Sequence, residues 1–249
     1  MKLDNYLPTK EDYPDNLEIL KKIDSQDYCY AIEASASAYF NSSKIIQRLF
    51  FKRLEKTRLL VDKKKYSFSL DAGTGIGVML PFLSKISQNV KAVDYTDIIN
   101  YAEAMAKKKR LGNITFEKCD INTLQAKEKF DLIICLSVLE HIGIPEIVFK
   151  HFKDILSPKG TLIIGYPIEN RLIKTIRYVE AMFRRNISKK VFKNSYKKTE
   201  NFTGHVSGWK KIDTALAKYF NVYQKVDLRF CSIKYYALRK VYNDGEHNI

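Results

Sequence analysis

Tyr66-Ser67-Phe68-Ser69-Leu70-Asp71-Ala72-Gly73-Thr74-Gly75-Ile76-Gly77 is the stretch on which the reading of this chain turns. Tyr66–Asp71 (YSFSLD) reads as a strand that runs into a bend at Ala72–Gly77. Glycine reaches backbone angles that other residues resist and lets the chain pass close to a ligand. A strand, a glycine bend and a following helix are the parts of a ligand-binding βα turn. A purely structural turn would use the same residues, so the surrounding sequence has to decide.

Outward from the bend, strands and helices alternate. Val78–Ser87 continues as a helix, bent or shortened by Pro81. Val90–Asp94 is a second strand, Asp97–Arg110 a helix that stops near Gly112, and Ile114–Lys118 a third strand. Phe130–Leu136 (FDLIICL) is an almost unbroken apolar run, as in a strand buried on both faces of a parallel sheet. Pro145–Leu156 reads as a helix, Ser157–Gly160 as a turn and Thr161–Gly165 as a fifth strand. Val222–Phe230 and Ile233–Val241 follow with no helix between them, which predicts an antiparallel hairpin at the sheet edge. The predicted fold class is α/β: a doubly wound, mostly parallel seven-stranded sheet with an antiparallel C-terminal edge hairpin.

Three features around the bend point to its ligand. Asp94 closes the second strand seventeen residues after Gly77, where an acid accepts both hydroxyls of a ribose. Cys119-Asp120-Ile121 follows the third strand, where a carboxylate meets an adenine amino group. Asp71 precedes the first glycine by two positions; it repels a pyrophosphate and attracts an ammonium. The glycine spacing is G-x-G-x-G, and Val78 stands where G-x-G-x-x-G has its last glycine. Adenosine carrying a zwitterionic tail fits this set better than NAD does. Taken singly, Asp94 and Asp120 also fit turn formers, and Ile121 and Leu136 fit core residues.

With these motifs in order, and with Phe130-Asp131-Leu132-Ile133-Ile134-Cys135-Leu136-Ser137-Val138-Leu139-Glu140-His141-Ile142 after them, residues 66–170 resemble class I S-adenosylmethionine-dependent methyltransferases of Rossmann-like fold. The V-L-E-H-I and S-P-K-G-T-L-I-I stretches resemble the group that contains quinone, lipid and small-molecule methyltransferases. The resemblance implies S-adenosylmethionine as cofactor. It implies that Asp71, Gly73, Thr74 and Gly75 line the methionine moiety, that Asp94 holds the ribose with Tyr95 beside the adenine, that Asp120 and Ile121 flank the adenine, and that Leu136 lies near the sulfonium.

For an O-methyltransfer, a hydroxyl acceptor needs a base. His141 is the candidate, oriented by Glu140; the competing reading has Glu140 capping a helix and His141 packed beneath it. Some quinone methyltransferases carry E-x-x-E-H here and hold a divalent metal with it. This chain has Ser137 in place of the first carboxylate, so no metal is expected. Tyr166, Asn170, His205 and Trp209 are the candidates for the acceptor pocket.

Charge bears on the partner. The 249 residues carry a net charge of +15. Residues 171–211 hold twelve Lys or Arg against Glu180 and Glu200, and so supply +10 of it. So long and biased a segment after a strand reads as a lid or docking surface. Residues 1–65 read as an N-terminal helical extension, in which a basic amphipathic helix over 44–61 packs its apolar stripe on the core; a membrane-surface helix is the sharper alternative. The core spans 66–243. Cys29, Cys119, Cys135 and Cys231 are scattered without a C-x-x-C pair and read as structural. No apolar run approaches the roughly 20 residues of a membrane span, and Met1–Asn5 lacks a secretion signal, so a cytoplasmic protein is expected. The leading expectation is a methyltransferase acting on a small-molecule or lipid-like acceptor, with peripheral contact to an anionic membrane surface. The alternative is an RNA or DNA methyltransferase whose basic segment binds phosphates. Against the latter, Leu136-Ser137-Val138-Leu139 replaces the N/D-P-P-Y motif of amino-directed base methyltransferases.

Overall fold

Phe130–Leu136 shows why the sheet forms as it does. Its residues alternate between two cores: Leu132 and Ile134 face one side, Ile133 and Cys135 the other, and all four are fully buried. A strand with no polar face must be covered on both sides. The computed structural model describes residues 6–13, 39–40, 44–62, 65–167, 206–228 and 233–240.

The strands are β1 (Tyr66–Ala72), β2 (Ser87–Asp94), β3 (Ile114–Lys118), β4 (Phe130–Leu136), β5 (Leu156–Pro167), β6 (Phe220–Leu228) and β7 (Ile233–Lys240). Their order across the sheet is β3-β2-β1-β4-β5-β7-β6. The first five are parallel, with β1 paired to β2 and β4. β7 runs antiparallel to both β5 and β6. The helices are α1 (Lys44–Leu60), α2 (Leu80–Ile86), α3 (Ile99–Lys108), α4 (Pro145–Ile155) and α5 (Trp209–Ala217). Side chains of α1, α2 and α3, among them Leu54, Leu60, Leu83 and Met105, join the core on one face. Val148, Phe149 and Phe152 of α4 and Ile212 and Leu216 of α5 join the core on the other. This is an α/β Rossmann-like fold on a parallel sheet. Strand order reverses between β1 and β4, which opens a crevice at their carboxyl ends, where such folds bind ligands.

Several boundaries differ from the sequence reading. β5 begins at Leu156, which pairs with Phe130; the pairing resumes at Leu132 and Thr161, so the Ser157–Gly160 turn is an irregularity inside one strand rather than a break before it. α3 ends at Lys108, and the left-handed residue beyond it is Arg110 (φ 56), not Gly112. The Leu111 amide reaches back to the Ala106 carbonyl at 2.9 Å, which closes the helix end whatever side chain Arg110 carries. The sequence reading placed residues up to 211 in the basic segment, yet α5 starts at Trp209. Its apolar stripe, Ile212, Ala215 and Leu216, is too short to stand out against the lysines before it. Asn170, His205, residues 171–205 and most of the N-terminal extension lie outside the described residues. No helix among the described residues is long and apolar enough to cross a membrane.

Candidate functional site

The glycine bend is fastened to β2 by its own backbone. The amides of Gly73 and Thr74 both donate to the Val93 carbonyl, at 2.8 and 2.9 Å. Gly73 has φ +79, and a Cβ there would lie 2.2 Å from Val138 Cγ2. The bend is therefore pressed against the segment that follows β4, and only glycine fits.

Two carboxylates converge on this bend. Asp94, at the end of β2, accepts the Gly75 amide through Oδ2 at 2.9 Å, and through Oδ1 the Thr96 amide and hydroxyl at 3.0 and 2.8 Å. Asp71, at the end of β1, accepts the Thr74 hydroxyl at 2.7 Å. Asp71 is buried. Desolvation raises its pKa to about 7; the Thr74 hydrogen bond opposes this and the Asp94 charge adds to it. A carboxyl so desolvated gains from a cation beside it, and an ammonium would supply one.

Helix α1 brings the opposite charge. The Arg53 guanidinium donates to the Ser137 hydroxyl just past β4 and lies 4.7 Å from the centre of the Phe50 ring. Tyr39 stands against the same groups: burial pushes its phenol up, the Arg53 charge opposes the shift and the Asp71 charge adds to it. The sequence reading assigned no role to Arg53 or Tyr39, and took Ser137 only as the residue in place of a carboxylate. A signal was there. Arg53 falls on the helix stripe defined by Phe50, Leu54, Thr57 and Leu60, where a cation has to be used or removed.

The other expected cofactor residues take varied places on this carboxyl edge. Ile121 is buried in the second core, and Leu136 is half-buried against the first. Tyr95 is 62% exposed, beside Asp94. Asp120 is exposed, and its Oδ1 accepts the Asn122 amide and side chain, both at 2.8 Å, as a turn former does. The Cys119 amide donates to the Asp94 carbonyl at 3.0 Å and so ties this loop to the end of β2.

Glu140 and His141 sit on a 3-10 turn, Leu139–His141, after β4. They point to different surroundings. Glu140 is buried, and its charge joins that of Asp71 in holding the Cys135 thiol high, after burial itself. His141 is exposed. The Glu140 carbonyl accepts the amides of Val206 and Ser207 at 2.8 and 3.1 Å, which fixes the turn beside the segment leading into α5. Tyr166, expected to face the acceptor, is fully buried, and its hydroxyl donates to Asp213 of α5. Its side chain leaves β5 on the face covered by α5, which the sequence reading had not recognised as a helix. Trp209 is half-buried at the start of α5. Among the described residues no group of His, Cys, Asp and Glu is placed to hold a metal ion.

The set is thus a buried carboxyl raised by desolvation, a guanidinium bonded to Ser137 just past β4 and a carboxylate at the end of β2. It fits an adenosine with an amino-acid tail. Comparison with known proteins agrees. A family model described as "Methyltransferase domain" matches residues 63–221. A ubiquinone biosynthesis O-methyltransferase of Coxiella burnetii is 32% identical over 111 residues, 44% of this chain and 46% of that protein. The chain thus spans less than half the length of that curated relative. The solved N-methyltransferase NodS of Bradyrhizobium japonicum in complex with S-adenosyl-L-homocysteine has a TM-score of 0.56 at 19% identity, over 79% of this chain and 88% of that one. Magnesium protoporphyrin IX methyltransferase of Synechocystis with bound S-adenosyl-L-homocysteine has a TM-score of 0.59 at 16% identity, over 91% and 100%. At these identities the solved structures speak for the fold.

Proposed function

We propose, from the premise that this chain belongs to the methyltransferase-domain family and is a class I S-adenosylmethionine-dependent methyltransferase, that it methylates a hydroxyl of a small-molecule or lipid-like acceptor. The observation that carries this reading is the electrostatic match around the bend. Asp71 is buried, so its carboxyl would gain from an ammonium, and Arg53, whose charge acts with that of Asp71 on Tyr39, carries the charge that a tail carboxylate needs.

When bound, S-adenosylmethionine supplies a methyl group already activated on a sulfonium, so alignment is the protein's main task. Asp71 would hold the ammonium and Arg53 the carboxylate, with Gly73, Thr74 and Gly75 beneath them. Asp94 would take the ribose hydroxyls. Ile121 would pack under the adenine, with Asp120 and Tyr95 at its edge and Leu136 toward the reacting centre. His141, exposed on the rim, would take the acceptor proton. Glu140 would act as a positioning residue, its buried side chain and its carbonyl holding the turn that carries His141. Trp209 would line the acceptor side, and Tyr166 would support it from the core. Residues 66–243 would form the catalytic core, 1–65 an extension that closes the cofactor side, and 171–211 a lid or docking surface. The basic balance supports a peripheral position at an anionic membrane face.

The O-methyltransferase relative supports oxygen as the acceptor atom. The test is calorimetry with S-adenosylmethionine, followed by transfer of labelled methyl into extracts split into lipid, small-molecule and RNA fractions. Label in a lipid or small-molecule product, lost with His141→Gln, is the expected result. Label confined to RNA would refute the acceptor class, and no binding of the donor would refute the site.

A further inference from the structure

Seven large apolar side chains are exposed among the described residues, and three of them lie on adjoining segments: Ile144 at 55%, Ile147 at 50% and Val206 at 56%. They are held together by hydrogen bonds. The Ile147 amide donates to the Ile144 carbonyl at 3.2 Å, and the Val206 amide to the Glu140 carbonyl at 2.8 Å. The Ser207 hydroxyl donates to the Ile142 carbonyl and the Lys211 ammonium to the Gly143 carbonyl, both at 2.5 Å. Single exposed aliphatics are ordinary, but three gathered on one rim mark a contact surface.

The charges around this face are basic. Lys150, Lys210 and Lys211 are exposed. The acid on this face, Glu146, lies 3.7 Å from Lys218. His141 is exposed on the turn that leads into Ile144. A second copy of the same face would bring cation against cation. RNA would engage the lysines and leave the aliphatics in water. An anionic bilayer meets both: apolar side chains enter the headgroup boundary while lysines remain at the charged surface.

We propose that the Ile144–Ile147–Val206 face docks on an anionic lipid bilayer and so turns the His141 rim toward the membrane. The acceptor would then be a lipophilic molecule taken from the bilayer. That last consequence rests on the methyltransferase reading above; the docking does not, and it is measured without donor or acceptor.

The chain offers its own probe. Trp209 is its single tryptophan and lies three residues past Val206. The experiment is sedimentation of the full chain with vesicles of phosphatidylcholine alone, or with about one-third phosphatidylglycerol, alongside Trp209 fluorescence with lipids brominated near the glycerol end. The expected result is binding to the anionic vesicles with quenching of Trp209. Replacing both isoleucines (Ile144→Asp with Ile147→Asp) weakens binding by at least about tenfold, with unchanged affinity for S-adenosylmethionine. Lys150→Glu with Lys210→Glu weakens it several-fold at low salt. Failure of wild type to bind anionic vesicles overturns the proposal, as does binding without quenching. So does an isoleucine variant that binds like wild type, or one whose only effect is to dissociate a dimer. Docking without donor binding would refute the methyltransferase reading and leave the docking face standing.

Discussion

The Arg53 guanidinium donates a hydrogen bond to the Ser137 hydroxyl, joining residues 84 positions apart. Ser137 holds a left-handed backbone, φ 58, that a non-glycine residue adopts at a cost. The Ser137 amide also donates to the Gly165 carbonyl at 2.7 Å. The turn after β4 is thus held from the sheet on one side and from α1 on the other. This ties α1 to the turn that follows β4.

Arg53→Met should therefore weaken S-adenosylmethionine binding more than it weakens the fold. Loss of a charge-assisted hydrogen bond costs about 1.5–3 kcal/mol, or about 10- to 100-fold in Kd. Calorimetry on Arg53→Met and Arg53→Lys checks this, with lysine recovering part of the loss. Equal affinity in all three proteins would remove Arg53 from the site.

Asp71 sets a pH dependence with a definite sign. Its folded pKa, about 7, lies above the ordinary 3.8, so the free protein holds that proton more tightly than the unfolded chain does. Stability should be greatest below about pH 4 as far as this group is concerned, and should fall between there and pH 7. Asp71→Asn should flatten that fall, seen as a higher Tm at neutral pH, while binding the donor more weakly. In wild type, ammonium binding should expel the proton. Below pH 7, calorimetry in buffers of different ionisation heat should detect proton release that the Asn variant lacks.

Asp94→Asn tests the ribose role proposed for this acid. Its carboxylate accepts from Gly75 and Thr96, so the change should loosen the bend as well as weaken binding. A loss of roughly 1–3 kcal/mol in stability and at least about tenfold in donor affinity is expected. Thermal unfolding with and without the donor would show it as a smaller ligand-induced rise in Tm.

Gly73→Ala should be among the most damaging small changes. The new Cβ meets Val138 Cγ2 at 2.2 Å, and φ +79 disfavours any side chain. Pairing it with Val138→Ala should recover part of the loss by removing the clash, but not all, because the backbone angle remains. Full recovery would place the whole cost in the contact.

His141→Gln should reduce kcat by about 10²–10⁴ with donor affinity unchanged, since the side chain is exposed. The limb of the pH–rate profile that reports base protonation should vanish. A variant with wild-type kcat would leave His141 a surface residue.

The local features of this chain are legible in the order of its amino acids. Repeated βα alternation, the carboxylates at strand ends and the glycine spacing each depend on neighbours in sequence, and together they indicate the parallel sheet, the bend and the acids Asp71 and Asp94. The places where the reading falls short involve partners distant in sequence. Tyr166 reads as facing an acceptor as long as α5 goes unrecognised among the lysines that precede it; the fold gives its hydroxyl to Asp213. Arg53 looks like one more surface cation because nothing near it in sequence announces Ser137.

What the sequence determined by itself is the periodic order of strands and helices and the chemistry at the strand ends, because backbone geometry and burial act over a few residues at a time. The fold alone decided that Arg53 meets Ser137, that Asp71 is desolvated, and that Ile144, Ile147 and Val206 are exposed on adjoining segments. Those properties arise from chain crossings that bring remote segments together, and desolvation and charge proximity exist only once that has happened.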